Sequence, residues 1–259
     1  MHYNPKLRPQ KKLIISEDGT HTLYSEEFGE PYHSTKDGAL HESLEKHVKP
    51  AFRLKRHRHK LTILDICFGL GYNSFATLYW VKKLGLQTKI HILSPEFDEG
   101  LVRSLDTFQY PAEFDDLREI IQAVSRDFYY EDEQFTIEVY NGDAREIIRG
   151  LAPKNKFDIV YQDAFSPAHN PLLWTREWFR DIRAVCSDDA VLTTYSIASA
   201  VRLGLYENGF GIYLSHAELM RDATVASLSA IGGFDMIDME LKKVRNPEGK
   251  ALLDLDYLE

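Results

Sequence analysis

Apolar positions along the chain come in two rhythms, short continuous runs and helical-period stretches, and the two alternate for most of its length. Residues 13–24 place an apolar run, the turn Glu17-Asp18-Gly19 and a second run, His21-Thr22-Leu23-Tyr24, which predicts a β-hairpin. From Lys36 to Val48, Ala39, Leu40, Leu44 and Val48 recur at helical spacing, and Pro50 marks the expected end of that helix. Beyond residue 60 the pattern predicts strand 61–67, helix 72–84, strand 89–94, helix 98–108 and an acidic helical insert near 113–127. Strand 135–140, helix 143–150, strand 157–162, helix 174–185, strand 190–195 and helix 197–207 follow. Such alternation predicts βαβ units and a mostly parallel, doubly wound α/β sheet, with antiparallel strands near 210–215 and 224–231 closing its edge. With no repeat or Gly/Ser linker in view, the reading is an N-terminal appendage over 1–60 and one domain over 61–259.

Composition narrows the class without naming it. The 259 residues are 44% apolar and 27% charged, the profile of a globular protein that buries a full core. Forty acidic against 31 basic residues give a net charge of −9, which argues against indiscriminate coating of nucleic acid. That charge is uneven. Residues 53–60 hold five basic residues (Arg53, Lys55, Arg56, Arg58 and Lys60) and no acid, either a solvated connector or a local basic patch. Two cysteines, Cys67 and Cys186, sit in apolar stretches, so neither a disulfide framework nor a metal site is expected. No apolar leader or membrane-length run is visible, and the expected compartment is cytoplasmic, with no membrane partner.

The candidate chemistry lies at the ends of the predicted strands. The first runs into Cys67-Phe68-Gly69-Leu70-Gly71-Tyr72-Asn73 and then directly into a helix, a turn that lets backbone approach a ligand closely. Ser74 stands where the dinucleotide fingerprint has its third glycine, which favours a nucleoside without phosphates. The second strand ends at Glu96, an acid placed to accept from ribose hydroxyls, with Asp98 as competitor. Asp143, followed by Ala144, opens a predicted helix and suits either a helix cap or an acceptor for an adenine amino group. The fourth strand delivers Asp163-Ala164-Phe165-Ser166-Pro167-Ala168-His169-Asn170-Pro171-Leu172-Leu173-Trp174, a proline-stiffened loop where open α/β sheets carry their chemistry.

These segments, together with Leu192-Thr193-Thr194-Tyr195-Ser196, resemble the tRNA 5-aminomethyl-2-thiouridine methyltransferases of the MnmC type, whose motifs read GFGxGxN, DxFxPxxNPxxW and LxTFT/S. Tyr32-His33-Ser34 and Gly38-Ala39-Leu40-His41-Glu42-Ser43 resemble that family's N-terminal segment, so the likeness spans roughly residues 20–232. It implies a Rossmann-like class I methyltransferase fold. It also implies S-adenosyl-L-methionine (SAM) bound by Phe68, Gly69, Gly71, Asn73, Glu96, Asp143, Ala144 and Asp163, with Asp163 catalytic. Substrate would meet Tyr32, Glu42, Phe165, Pro167, Asn170, Trp174 and Tyr195, and tRNA the basic run 53–60, helped by Lys6, Arg8, Lys11 and Lys12. The fused family members carry a FAD oxidase that this sequence lacks, so no FAD and no metal are expected, and separate enzymes would make the aminomethyl precursor. Met220-Arg221-Asp222-Ala223-Thr224-Val225-Ala226-Ser227 departs from the family in keeping a single arginine.

On this reading the product is a 5-methylaminomethyl-(2-thio)uridine at the wobble position of tRNA. Asp163 would orient the amine and stabilise positive charge as it moves from sulfur to nitrogen. An aminopropyltransferase of the spermidine synthase class, a small-molecule methyltransferase and a non-catalytic binding module are the competing readings.

Overall fold

The computed structural model describes residues 11–152, 156–217 and 220–258. A small antiparallel sheet opens the chain: β1 (Lys11–Ile15), β2 (His21–Ser25) and β3 (Glu30–Pro31). A continuous helical stretch follows, α1 (Ala39–Glu42), a π-helical segment Ser43–Val48 and α2 (Lys49–Lys55). Pro50 does not end it. The proline comes just after the π-helical segment, in the first turn of α2, and the helix runs on past it. Residues 39–55 are integral to the core, with Ala39, Val48, Ala51 and Phe52 buried against the main sheet's helices.

The main sheet contains β4 (Lys60–Ile66), β5 (Lys89–Glu96), β6 (Tyr129–Glu131), β7 (Phe135–Asn141), β8 (Phe157–Gln162), β9 (Cys186–Thr194), β10 (Gly211–Ser215), β11 (Ala223–Ser227) and β12 (Asp235–Met236). Their order is β12-β10-β11-β9-β8-β4-β5-β7-β6, parallel from β9 to β7 and antiparallel at both edges. Leu61, Ile63, Leu64 and Ile66 are all buried, as expected for a central strand covered on both faces. The helices α3 (Tyr72–Lys83), α4 (Glu99–Arg103) and α5 (Arg118–Asp127) belong to one side. On the other lie α6 (Ala144–Leu151), α7 (Arg176–Val185), α8 (Ser199–Glu207) and α9 (Met239–Arg245).

The sequence reading placed the central elements within a few residues. Differences concentrate where polar residues extend an element or break it. The helix expected over 98–108 divides into α4 and a 3-10 turn, Leu105–Thr107, and the 113–127 insert begins as a 3-10 turn, Ala112–Leu117. Strand β9 starts at Cys186, before its apolar run, because Asp188 and Asp189 sit at its polar end. Strands β6 and β12 and helix α9, short and mostly exposed, carry no periodic signal.

Strand order fixes the site. Successive crossovers carry the chain outward from β4 through β5 to β7, then back to β8 on β4's other side and on to β9. The topological switch point therefore lies between β4 and β8, where α/β folds open a crevice beyond the strands' carboxyl ends. Ile66 pairs with Gln162 in the ladder, so Cys67 and Asp163 leave the sheet side by side.

Candidate active site

The turn after β4 is bent into conformations that favour glycine: Gly69 has φ 53° and Gly71 φ 71°. Cys67 adopts φ 65° as well, an uncommon conformation for a residue with a side chain. A Cβ on Gly71 would lie 2.5 Å from the Phe75 ring and 2.9 Å from Phe68. The turn leaves the Gly69 N–H pointing at β5, where it donates to Glu96 Oε2 at 2.8 Å, and the Asp98 N–H donates to Oε1 at 2.8 Å. Burial pushes the Glu96 carboxyl up to about 7 even though both N–H groups oppose the shift. Asp98, the competing acid, is committed elsewhere. It caps α4 by accepting from the Leu101 N–H and pairs with Lys11.

Asp163, one residue past β8, is held by groups from three other parts of the chain. Asn73 Nδ2 donates to Oδ2 at 2.8 Å, and His47 Nε2 lies 3.3 Å from Oδ1. Burial would raise this carboxyl, but the His47 and His33 imidazoles and the Asn73 amide outweigh it and keep it below the ordinary carboxylate range. Asp65, at the end of β4, accepts from Ser74 Oγ at 2.7 Å, and burial pushes it up to about 7. The Cys67 thiol is held far above its usual value, first by burial and then by the surrounding carboxylates, so it stays neutral.

The 163–174 loop is tied by its own polar groups. Trp174 Nε1 donates to the Phe165 carbonyl at 2.7 Å, and Tyr195 Oη donates to the Ala164 carbonyl at 3.0 Å. From the N-terminal sheet, Glu30 accepts the Ser166 N–H, and Phe28 stacks on Phe165 with centroids 4.5 Å apart. Below the loop, Arg145 donates to the Leu172 carbonyl at 2.7 Å and forms a two-pronged pair with Asp254 from the C-terminal segment.

Between these elements lies a cavity of about 230 Å³. Phe68, Gly69, Asn73, Glu96 and Asp163 line it, as do Tyr32, Glu42, Phe165, Asn170 and Tyr195. Gly71, Asp143, Ala144, Pro167 and Trp174 do not. Gly71 shapes the turn from behind, Trp174 is fully buried in the loop's support, and Asp143 is exposed and caps α6 by accepting from the Arg145 and Glu146 N–H groups. The helix-cap reading is thus the one Asp143's contacts fit.

The basic run is less free than its composition suggests. Lys55 is buried, donating to the Asp189 carbonyl and pairing with its carboxylate at 2.8 Å, so it is not a surface contact. Arg58 pairs with Asp158 at 3.0 Å and Asp189 at 2.5 Å. Arg53 covers the Phe234 ring at 4.9 Å, while Arg56 and Lys60 are exposed. Lys11 and Lys12 pair with Asp98 and Glu26, and Lys6 and Arg8 lie outside the described residues.

His47, His33 and Asp65 escaped the sequence reading. His47 meets Thr193 across 146 residues, and no local pattern announces such a contact.

A solved structure, that of MnmC2 from Aquifex aeolicus, matches 99% of this chain and 83% of its own at 32% identity, with a TM-score of 0.83. The chain belongs to the MnmC2 family. The family model described as S-adenosyl-L-methionine-dependent methyltransferase matches residues 114–227, and the protein is a methyltransferase of that class. An uncharacterized protein of Methanocaldococcus jannaschii is 32% identical to this methyltransferase over 80% of the chain, which spans 56% of that relative. The tRNA 5-methylaminomethyl-2-thiouridine biosynthesis bifunctional protein MnmC of an Azoarcus species is 33% identical over 77% of the chain. The methyltransferase spans about a third of that bifunctional protein's length and about half of the archaeal relative's. Three solved spermidine synthases, at 13–18% identity, share the fold alone.

The residues at the switch point fit SAM. Asn73 Oδ1 is a buried acceptor with no partner among the described residues, in a cavity that also presents Glu96 and Asp163. Such a set suits a ligand bearing ribose hydroxyls and positive charge. No described helix is long and apolar enough to cross a membrane, and no cluster of three or more His, Cys, Asp or Glu among the described residues could hold a metal ion.

Proposed function

We propose that this methyltransferase N-methylates the 5-aminomethyl group of a (2-thio)uridine at the wobble position of tRNA, in the cytoplasm. Separate enzymes would supply the aminomethyl precursor. The observation that carries the reading is the pairing of Glu96 and Asp163 at opposite sides of one switch-point cavity. Likeness to proteins named for 5-methylaminomethyl-2-thiouridine biosynthesis sets the substrate class.

Glu96 would accept from the ribose, Gly69 and Phe68 would bound the nucleoside, and Asn73 Oδ1 would accept from a cationic group. SAM held by these residues would supply an electrophilic sulfonium methyl to the amine's lone pair. An alkyl amine of pKa roughly 10 is neutral about once in a thousand at pH 7, a cost of about 4 kcal/mol. Asp163 beside the amine favours its charged form, so its part is to orient the nitrogen and to stabilise the cation formed on it. Phe165, Tyr32 and Tyr195, at the cavity wall, offer faces for the uracil ring.

The test is to incubate the protein with labelled SAM and bulk tRNA from cells lacking it, and to identify the labelled nucleoside by mass spectrometry. A methylaminomethyl-uridine is expected; label in any other nucleoside, or none, refutes the reading. Asp163→Asn should lower transfer about 100-fold at saturating SAM. Full activity in that variant would remove Asp163 from the reaction.

A further inference from the structure

The carboxylates Glu30, Glu42, Glu96 and Asp163 face the switch-point cavity, and no described lysine or arginine joins them on its wall. Each already accepts from the chain. Glu30 takes the Ser166 N–H, Glu42 takes the Ser34 N–H at 2.7 Å and buried Lys46 at 2.9 Å, and Glu96 and Asp163 are held by Gly69 and Asn73. SAM carries an ammonium and a carboxylate on one carbon of its methionine end, so a site for it needs an acceptor and a donor side by side. Asn73 Oδ1 supplies the acceptor, and the carboxylate needs a donor that the protein has not used on itself.

His33 stands where such a donor is needed. It is 8% exposed, and its imidazole lies on the cavity wall. Nδ1 is 3.1 Å from Oγ1 of Thr22, which is fully buried and whose hydroxyl has no other partner among the described residues. A buried hydroxyl gives its hydrogen to an available acceptor, so Thr22 donates to Nδ1 and the neutral ring carries its proton on Nε2; the imidazolium carries one there too. Nε2 itself has no hydrogen bond to a described group and is the ring nitrogen left to the cavity. The imidazole packs edge-on against Tyr72 with centroids 4.8 Å apart, and Tyr72 is the first residue of α3, whose N-terminus no side chain caps. That twelve-residue helix adds unpaired N–H groups and partial positive charge beside the ring.

We propose that His33 Nε2–H and the N-terminus of α3 bind the methionine carboxylate of SAM, beside Asn73 Oδ1, which takes the ammonium on the same carbon. The assignment rests on SAM occupying this cavity and is independent of the acceptor that is methylated. It gives the N-terminal segment a part in choosing the nucleoside. An aminopropyl donor is the same nucleoside with this carboxyl removed, and such a ligand would leave the His33 N–H and the first turn of α3 without a partner. His33 thereby selects SAM over its decarboxylated form, which is the chemical difference between donating a methyl and donating an aminopropyl group.

Calorimetry with S-adenosylhomocysteine and its decarboxylated analogue tests this without turnover. Wild type should bind the carboxylated nucleoside about 30-fold more tightly. His33→Asn keeps a polar atom for Thr22 and withdraws the cavity donor. It should weaken S-adenosylhomocysteine about 10-fold and leave the analogue's affinity unchanged, and binding of the analogue shows that the variant is folded. His33→Gln, whose amide N–H extends to the reach of Nε2, should recover most of the loss. In a folded His33→Asn, equal losses for both ligands or no loss for either overturn the assignment and leave the N-methylation reading standing. Wild type binding the two nucleosides equally overturns it whatever the variants do, and wild type binding neither overturns the placement of SAM in this cavity as well.

Discussion

Replacing Glu96 by Gln should flatten the protein's stability between pH 5.5 and 8. The carboxyl is lifted from 4.5 to about 7 by burial, so from pH 5.5 to about 7 the unfolded chain has released its proton while the folded chain still holds it. Stability from this group is fully present below pH 4.5 and is lost as pH rises toward and through 7. About 1.5 pH units separate 5.5 from the folded value, and at 1.36 kcal/mol per unit the loss is about 2 kcal/mol. Asp65, also lifted to about 7, adds a similar loss, so the wild type should weaken by about 4 kcal/mol from these two groups and Glu96→Gln by about 2. The amide also sets one N–H donor against the Gly69 or Asp98 N–H, at a cost of about 1 kcal/mol. That cost does not vary with pH, so the difference in slope isolates the titration. Urea unfolding of both proteins without ligand, at half-unit pH steps, measures it. Parallel stability curves would mean that Glu96 is already ionised at pH 5.5, and the argument that burial outweighs its two N–H donors would fail.

Gly71→Ala should destabilise the fold by about 3 kcal/mol, combining a left-handed backbone with a Cβ driven against the Phe75 and Phe68 rings; thermal unfolding would detect it, and an unchanged midpoint would contradict the packing. Arg145→Met should cost about 3 kcal/mol by leaving Asp254 without its pair and releasing the Leu172 carbonyl, and proteolysis should then cut first within the 251–258 segment. The triple charge reversal Arg53→Glu, Arg56→Glu, Lys60→Glu should weaken tRNA binding and reduce its salt slope with SAM affinity unchanged; no change in either would leave the run a connector.

Strand-end chemistry was legible because each signal is local. A buried parallel strand is a continuous apolar run, a backbone that must approach a nucleoside needs glycine, and a stiff loop needs proline; all three occur within a dozen residues at 61–71 and 163–174. Glu96 could be preferred over Asp98 only once the Asp98 cap on α4 was visible, because both acids suit the end of a strand. The same ambiguity at Asp143 resolved the other way, toward the cap. Lys55 shows the limit of charge counting. Five cations in eight residues resemble an exposed patch, yet β9 brings Asp189 to two of them and buries one.

What sequence could not supply is the far side of Asp163. Asn73 lies inside the glycine-turn motif and reaches the carboxylate from the start of α3, so half of its environment was within range of a motif reading. The other half arrives from the helical stretch before β4, where His47 is an ordinary buried position by periodicity, and from β9, two strands away from β4, which carries Thr193. A π-helical turn changes which face a residue presents, so an α-helical wheel misplaces residues 43–48. Residues 39–55 therefore do more than join a hairpin to a sheet. They close the core over one face and deliver an imidazole to within 3.3 Å of the Asp163 carboxylate at the switch point, from outside the strand-end motifs.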